Sequence, residues 1–537
     1  MEVAAAQIIF LVLLFSIVVF AVVSRRLQTP YAIVSVVGGL LLAFVPGIPR
    51  IPLNPDVVFL IFLPPLLYGA AWNTSWQDFR SNSASIALLA VGLVGFTVAA
   101  VAFVAPMLLP AFDWRVAFVL GAVVATTDSI AATSIARRLG LPKRTVDILE
   151  GESLVNDATG LLALEFGTAM VVYGQIPTVG SGLVRLLYLS VAGIVTGLVI
   201  ARVVEWFEAQ IDDASIEIAI SLFVPYSAYL AAELIHASGV LAVVSAGLYL
   251  SHKSSHFFSP AVRLRATAVW DALAFILNGF VFVLIGLQLP YVLHEIRGLP
   301  RSRVLLDGVI FSAMLIFLRL IWTFPGAALA HLVRTRLQGQ RERMPGFRLT
   351  FVIGWTGMRG VIALAAAVSL PATISTGGPF PQRSMIIFLT FSAILVTLVL
   401  QGLTLPPLVR ALGLAGSPGF ECEQEEARQL IAEAALEHLR DKRTQAGNSF
   451  AAIYDDLEEH YRQRLASLTC LAGADIESTP ERYEQYLDAS RDLNDFERQT
   501  AMRLRKEGRI SHDFLRTLEQ ELDLSATRLA GARRPAG

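Results

Sequence analysis

The chain has 537 residues, of which 55% are hydrophobic and only 16% are charged, and its formal net charge is −1. A soluble protein would carry about a quarter charged residues, so this composition excludes an ordinary soluble globular protein. The apolar residues come in blocks of about 18–25 residues, the length of a helix that spans a bilayer. The two cysteines lie outside these blocks and predict neither a disulfide framework nor a cysteine-based metal site, and nothing in the charge balance points to nucleic acid.

Hydropathy predicts an all-α polytopic membrane protein with about 13 transmembrane helices. The predicted spans lie near 4–24, 31–47, 56–72, 85–110, 115–137, 146–173, 181–204, 214–234, 238–251, 269–289, 304–333, 348–371 and 384–412. Basic residues concentrate in the loops after odd-numbered spans, as in the stretch 137–144 after span 5. The positive-inside rule therefore predicts a plasma (bacterial inner) membrane protein with its amino terminus outside and its carboxyl-terminal tail in the cytoplasm.

The end of the chain differs in composition from the rest. Residues 417–537 contain 41 of the 87 charged residues. Stretches such as EEARQLIAEAALEHLRDK place apolar residues at spacings of three and four, the pattern of amphipathic helices. We therefore predict a transmembrane domain over 1–416 and a cytoplasmic helical tail over 417–537, which packs on itself or on a partner tail.

Span 5 contains the segment ATTDS, with Thr127 and Asp128 inside an otherwise apolar stretch. A charged side chain within a span costs at least ~2.5–3.5 kcal/mol on insertion scales, so it is a functional candidate by default. Hydroxyl residues around one carboxylate favour a locally unwound helix that lines a cavity. The alternative is that these side chains merely join helices through hydrogen bonds.

Span 6 contains EGESLVNDATG, which places four polar side chains in two stacked pairs. Glu152 and Asn156 are spaced i, i+4, as are Ser153 and Asp157, so each pair shares one helical face. The result is an all-oxygen lining, which suits a hard cation such as Na+ or Li+ and not a soft metal. Glu150 lies nearer the cytoplasmic mouth and is expected to be solvated.

Span 12 contains GWTGMRGVIAL, in which glycines surround the permanent positive charge of Arg359. This charge needs a buried anion, for which Glu152 and Asp128 are the candidates. If spans 1–6 and 8–13 are two repeats, spans 5 and 12 hold equivalent positions, as in transporters with inverted repeats and interrupted helices at the midplane. Arg319 on span 11 is interpreted as structural or interfacial.

Several of these motifs together resemble the monovalent cation:proton antiporter-1 family, the Na+/H+ exchangers, and especially its bacterial branch. The resemblance covers about 1–412 and is carried by FLPPLLYGAAWNTSWQDFR, TTDS, GLPKRTVDILEGESLVNDATGL, SGVLAVVSAGL, NGFVFVLIGLQLP and GWTGMRGVIALAAAVSLP. It implies a homodimer in the lipid bilayer, each protomer having a dimerisation domain and a moving core domain, with spans 5 and 12 unwound and crossing.

The resemblance also implies a role for each site residue. Asp157 would exchange cation and proton, with Asn156 as its partner in an Asn-Asp motif. Ser153 and Thr127 would supply further Na+ ligands, and Asp128 would support the crossing. Glu152 would pair with Arg359. Some relatives carry a glutamate on span 3 where this chain has Gly69, so no span 3 ligand is included in the predicted site.

An Asn-Asp motif implies electroneutral Na+(Li+)/H+ antiport by alternating access, without a cofactor. Burial favours a protonated Asp157, whereas oxygen ligands and a dehydrated cation favour its ionised form, so the two ions compete for one group. A K+-preferring antiporter is the alternative within the family. A passive cation channel is a second class, which the single Asn156–Asp157 pair disfavours. The spans contain no Ser–His or HExxH arrangement, so a transporter rather than an enzyme is expected.

Overall fold

The computed structural model describes residues 2–45, 53–174, 179–211, 213–257, 260–296, 300–337, 344, 346–415, 418–446, 451–469, 480–507 and 522–526. These residues are mostly helical and form no β-strand; one isolated bridge joins Thr373 and Pro379. The all-α prediction is confirmed. The chain divides into two compact units, Met1–Ser417 and Pro418–Gly537, although residues 416 and 417 themselves lie outside the described ranges.

The first ten α-helices cover the amino-terminal part of the first unit, and two of the apolar segments include a π-helical turn. They are α1 (Glu2–Leu27), α2 (Tyr31–Leu42), α3 (Pro55–Val57), π1 (Val58–Phe62), α4 (Leu63–Asn73), α5 (Trp76–Ser81), α6 (Ser83–Ala87), π2 (Leu88–Gly92), α7 (Leu93–Leu108), α8 (Trp114–Ala125), α9 (Ile130–Arg138) and α10 (Lys143–Tyr173).

The second half of the unit has ten more α-helices and a third π-helical turn. They are α11 (Val179–Glu208), α12 (Ala214–Leu234), α13 (Gly239–Phe257), α14 (Pro260–Leu287), α15 (Leu289–Glu295), α16 (Arg301–Leu337), α17 (Phe347–Trp355), α18 (Val361–Val368), α19 (Arg383–Val396), π3 (Thr397–Gln401) and α20 (Gly402–Ala411).

Nine stretches of the described residues are long and apolar enough to cross a membrane. They are Phe10–Leu27, Pro55–Asn73, Ser83–Leu108, Trp114–Arg138, Gly180–Glu208, Ala214–Leu234, Arg265–His294, Ser302–Arg336 and Arg383–Ala411. The four predicted spans outside this set correspond to other helices: span 2 to the shorter apolar helix α2, span 6 to α10 with its several charged residues, span 9 to α13, and span 12 to the interrupted α17 and α18. The prediction of about 13 crossings, arranged as inverted repeats, therefore stays a prediction.

The helices that carry the polar motifs lie at the centre of the unit. Of the apolar stretch Trp114–Arg138, 78% is buried within the protein, against 17% for Gly180–Glu208 and 22% for Phe10–Leu27. The largest apolar cluster joins α7, α8, α18 and α19, and a second cluster joins α4 to α11–α13. Span 5 is thus held rigidly by packing on all sides, which fixes the position of its interruption.

Helices α2 and α14 pack backbone against backbone. A Cβ atom added to Gly286 on α14 would lie 2.7 Å from the carbonyl carbon of Gly39 on α2, so only glycine permits this approach. The close contact fixes α14 against the amino-terminal helices. The remaining face of α14 is therefore free to contribute to the interior of the unit.

The carboxyl-terminal unit consists of α21 (Pro418–Ala446), α22 (Ala451–Thr469) and α23 (Pro480–Lys506). The carboxylate of Glu458 on α22 accepts hydrogen bonds from Arg440 on α21, at 2.9 Å, and from Arg462 one turn further along α22, at 2.7 Å. The hydrogen bond from Arg440 lowers the pKa of Glu458, and the charge of Arg462 adds to the effect. Charged pairs thus tie α21 to α22, as the amphipathic pattern predicted for helices that pack together.

Candidate functional site

Two helices are interrupted at the centre of the membrane unit, and the interruptions touch. Helix α8 ends at Ala125 and α9 begins at Ile130, while α17 ends at Trp355 and α18 begins at Val361. The Asp128 N–H of the first interruption donates to the Met358 carbonyl of the second at 2.8 Å. This bond satisfies unwound backbone where water is scarce. The predicted interruption of spans 5 and 12 is confirmed.

The charged residues at the crossing match the dipoles of the half-helices. Arg359 Nε donates to the Val124 carbonyl in the last turn of α8 at 3.0 Å, and its Nη1 donates to the Gly357 carbonyl at 2.5 Å. Asp128 Oδ1 accepts from the Ile130 N–H at the start of α9 at 2.9 Å. A cation thus lies at a carboxyl-terminal helix end and an anion at an amino-terminal end, the favourable arrangement for both.

The interruption in span 12 also depends on the small size of Gly360. A Cβ atom added there would lie 2.7 Å from the Cβ and Oδ2 atoms of Asp128. The two segments could not cross this closely with a larger residue. The glycine-rich sequence therefore serves the approach of the two backbones as well as the interruption of the helix.

The predicted ion pair between Glu152 and Arg359 is wrong. Glu152 is held instead by Arg319 on α16, whose Nη1 and Nη2 donate to its two carboxylate oxygens at 2.5 and 2.9 Å. Both side chains are only 2% exposed. Arg359 needs no carboxylate partner because backbone carbonyls at the helix ends accept its hydrogen bonds. Sequence cannot choose between two buried arginines for one carboxylate.

A chain of hydrogen bonds connects this ion pair to Asn156. The Thr127 hydroxyl donates to Glu152 Oε1 at 3.1 Å, and Asn156 Nδ2 donates to Thr127 Oγ1 at 2.5 Å. Asn156 Oδ1 is buried and has no hydrogen-bond partner among the described residues. The ion pair and Thr127 thereby fix the amide so that its oxygen is turned away from them.

Ser153 and Asp157 occupy the neighbouring face of α10, as their spacing predicted. The Ser153 hydroxyl donates to the Thr127 carbonyl at 3.1 Å and accepts from the Ser129 N–H at 3.4 Å. Asp157 is 4% exposed. Within the described ranges its carboxyl makes no hydrogen bond, although Asp128 is close enough for the two charges to interact. The structure thus brings all the residues of the predicted cation site together.

A cavity of about 350 Å³ reaches this group of residues. Polar lining includes Thr127, Asp128, Ser153 and Asp157, and apolar lining comes mainly from π1, α4 and α18. Arg137 and Glu150 also line it and form an ion pair of 2.5 Å, with the Glu150 side chain 16% exposed. Glu150 is therefore paired rather than simply solvated. The volume exceeds that of several waters, so a partly hydrated cation fits.

The cavity also contains side chains that the sequence did not single out. Asn73 on α4 and Asn278 on α14 both line it. Gly69 does not: a Cβ atom there would lie 3.6 Å from the Trp270 ring, outside the cavity lining. Helical spacing from Gly69 could have pointed to Asn73, one turn further, whereas Asn278 is identified only by the packing of α14.

Comparison with known proteins gives concordant matches. The family described as "Sodium/hydrogen exchanger, transmembrane" matches residues 10–411. An uncharacterized Na(+)/H(+) exchanger of Mycobacterium tuberculosis is 33% identical over 529 residues, covering 97% of this chain and 96% of that protein. A "Sodium, potassium, lithium and rubidium/H(+) antiporter" of Bacillus subtilis is 29% identical, covering 90% and 71%. The sodium proton antiporter MjNhaP1 of Methanocaldococcus jannaschii has the same fold, with a TM-score of 0.57 at 20% identity over 76% of this chain and 99% of that one.

Proposed function

The chain belongs to the sodium/hydrogen exchanger family, and we propose that it exchanges Na+ or Li+ for H+ electroneutrally at Asp157. The family prediction made from the sequence motifs is confirmed. The protein is accordingly a multi-pass membrane protein of a cation/proton antiporter family, a class of secondary transporter. The identity of the cation, the competition at one carboxyl and the alternating access are the proposed parts.

The observation that carries the proposal is the environment of Asp157. Its carboxyl is nearly buried, lines a cavity with the hydroxyl of Ser153 and the Thr127 segment, and makes no hydrogen bond to any described residue. A carboxylate in such a place is stabilised either by a proton or by a cation that accepts oxygen ligands. Asp157 with Ser153 and Thr127 forms the proposed Na+ site, and Asn156 and Asp128 shape it.

In the proposed mechanism, cation and proton transport are coupled because the site binds only one of the two ions at a time. A proton and a cation cannot both neutralise one carboxyl, so binding of either releases the other. Arg137 and Glu150 line the cavity at the end that the distribution of basic residues predicts to be cytoplasmic. Motion of the core around the crossing would then close the cavity on this side and expose Asp157 to the other side.

The decisive experiment replaces Asp157 by asparagine, which keeps the shape and removes the titrating group. Cation-dependent dequenching of a pH dye is measured in everted membrane vesicles with Na+, Li+ and K+ in turn. We expect Asp157→Asn to abolish the signal for every cation. The matched control is Glu165→Gln on the same helix, whose carboxylate pairs with Arg185 on a partly exposed surface and should retain exchange. Retained Na+-dependent dequenching in Asp157→Asn would refute the proposal.

A K+-preferring antiporter is the second candidate. The Bacillus subtilis relative is named for potassium and rubidium as well as sodium and lithium exchange. An all-oxygen site accepts any of these ions, and the ligand positions decide among them. A signal for K+ that exceeds the signals for Na+ and Li+ at equal concentration, across pH, would select this candidate.

We further propose that the protein is a homodimer in the bacterial inner membrane, with the amino terminus outside and the 417–537 tail in the cytoplasm. The poorly buried helices α1 and α11 offer apolar surface to lipid or to a second copy. Cross-linking of intact membranes tests the dimer, and labelling of single cysteines placed in the tail and at the amino terminus tests the orientation.

A further inference from the structure

Helix α14 turns one polar side chain toward the cavity. Asn278 and Val281, one turn apart, both line it, whereas Gly279 between them faces α1, where an added Cβ atom would lie 2.7 Å from Ile17. The spacing of three residues places Asn278 and Val281 on one face of the helix. The orientation of Asn278 toward the cavity thus follows from the packing of α14 on its other side.

The Asn278 side chain has an unsatisfied oxygen in this position. Its Oδ1 is buried and accepts no hydrogen bond from any described residue. A buried polar atom without a partner is unfavourable, and in native proteins it generally has a water, an ion or a functional reason. An amide oxygen has no proton to give and two lone pairs to offer, so it suits a hard cation or the water bound to one.

We propose that Asn278 Oδ1 is a ligand of the transported cation, contributed by α14 to the cavity that Asp157 and Ser153 also line. This inference rests on the proposed antiport function and extends its site. A neutral ligand raises the number of oxygens around the cation without adding a second group that titrates. One cation can then still exchange for one proton, because Asp157 alone changes protonation.

The role also accounts for a feature of span 3. Position 69 on α4 is a glycine, which has no side-chain oxygen, and a Cβ atom there would face Trp270 and not the cavity. Asn278 supplies a neutral oxygen to the cavity from the neighbouring α14. Because the ligand is held by a helix packed tightly on α2, its position is fixed, and a fixed ligand discriminates among cations by size.

The test compares two replacements of similar size in the full-length protein, reconstituted in lipid vesicles. Asn278→Leu removes the oxygen, and Asn278→Gln keeps a neutral amide oxygen on a side chain one methylene longer. Proton flux is measured against the concentration of Na+, Li+ and K+ to give an apparent KM and a maximal rate for each. We expect Asn278→Leu to raise the KM for Na+ about tenfold, with a maximal rate within about twofold, and to alter the ratio of KM values among the three cations. We expect Asn278→Gln to keep the KM within about threefold of the wild type.

Two results would overturn the inference. One is a KM and cation preference unchanged in Asn278→Leu. The other is an equal loss of maximal rate in both variants with an unchanged KM, which a purely structural amide would produce. Both are distinct from failure of the proposed function itself, in which the wild-type protein moves no protons in response to any of the cations.

Discussion

The loss of stability that arises through Glu152 should be larger when Arg319 is replaced than when Arg359 is replaced. In Arg319→Met, the Glu152 carboxylate loses guanidinium bonds of 2.5 and 2.9 Å while it stays buried. Breaking one side of a buried pair costs about 3–5 kcal/mol, because a charge is left without its partner. Replacing Glu152 by methionine as well removes that charge. About 1–2 kcal/mol should remain, because the Thr127 hydroxyl then lacks its acceptor.

The losses of stability of the single and the double variant should both appear as decreases of the melting temperature in detergent. An unfolding entropy of about 2.1 cal/mol/K per residue, summed over the unit Met1–Ser417, gives roughly 0.9 kcal/mol/K. We therefore expect Arg319→Met to lower the melting temperature by about 3–6 °C, and the double variant Glu152→Met/Arg319→Met to lower it by only about 1–2 °C. The same scan rate is used throughout, since membrane proteins commonly unfold irreversibly.

The matched cycle uses Arg359→Met with Glu152→Met. Arg359 donates to backbone carbonyls and not to Glu152, and Glu152 acts on it only through its charge, so the coupling of these two substitutions should be smaller than that of Glu152 with Arg319. A larger coupling between Glu152 and Arg359 than between Glu152 and Arg319 would refute the assignment. It would restore the pair that the sequence suggested.

Two further predictions concern the crossing and the tail. Gly360→Ala places a Cβ atom 2.7 Å from Asp128 Oδ2, so we expect about 1–3 kcal/mol of destabilisation and reduced antiport in normally inserted protein. The control is Gly95→Ala, because a Cβ atom at Gly95 meets nothing within 4 Å. Equal antiport activity of the two variants would contradict the reasoning. The lowered pKa of Glu458 stabilises the tail above the ordinary glutamate pKa of about 4.3, and this stabilisation is lost as pH falls through the lower folded pKa. In the full chain, Glu458→Gln should therefore speed proteolysis of the tail at pH 7, and the difference from the wild type should shrink as the pH falls below about 4. A difference that does not change with pH would contradict it.

Many residues of the site could be predicted from the sequence, because polar and charged side chains are rare within membrane-spanning segments and therefore stand out. The i, i+4 pairs on α10 and the two interruptions followed from helical geometry and from the cost of charge at membrane depth. Those signals are local, and the structure places the residues where the periodicity predicts. The family followed from the order of several such motifs along the chain.

What the sequence could not supply is the pairing between distant helices. Arg319 and Arg359 are both permanent charges in apolar spans, and the choice between them depends on where α16 passes α10. Asn278 presents the same difficulty, because an asparagine in a span is equally suited to joining two helices. Its orientation depends on the approach of α14 to α1 and α2, which no spacing within α14 encodes.

The hydrogen bonds between Arg319 and Asn156 converge on Glu152 from both sides, and this bears on how protons travel. Arg319 donates to Glu152, Glu152 accepts from Thr127, and the Thr127 oxygen accepts from the Asn156 amide. Every hydrogen in the series is committed, and an amide does not pass protons on. The series therefore offers no path for proton transfer. In the proposed mechanism, a proton released by Asp157 would not reach Glu152 through these hydrogen bonds and would leave through the cavity that Asp157 lines.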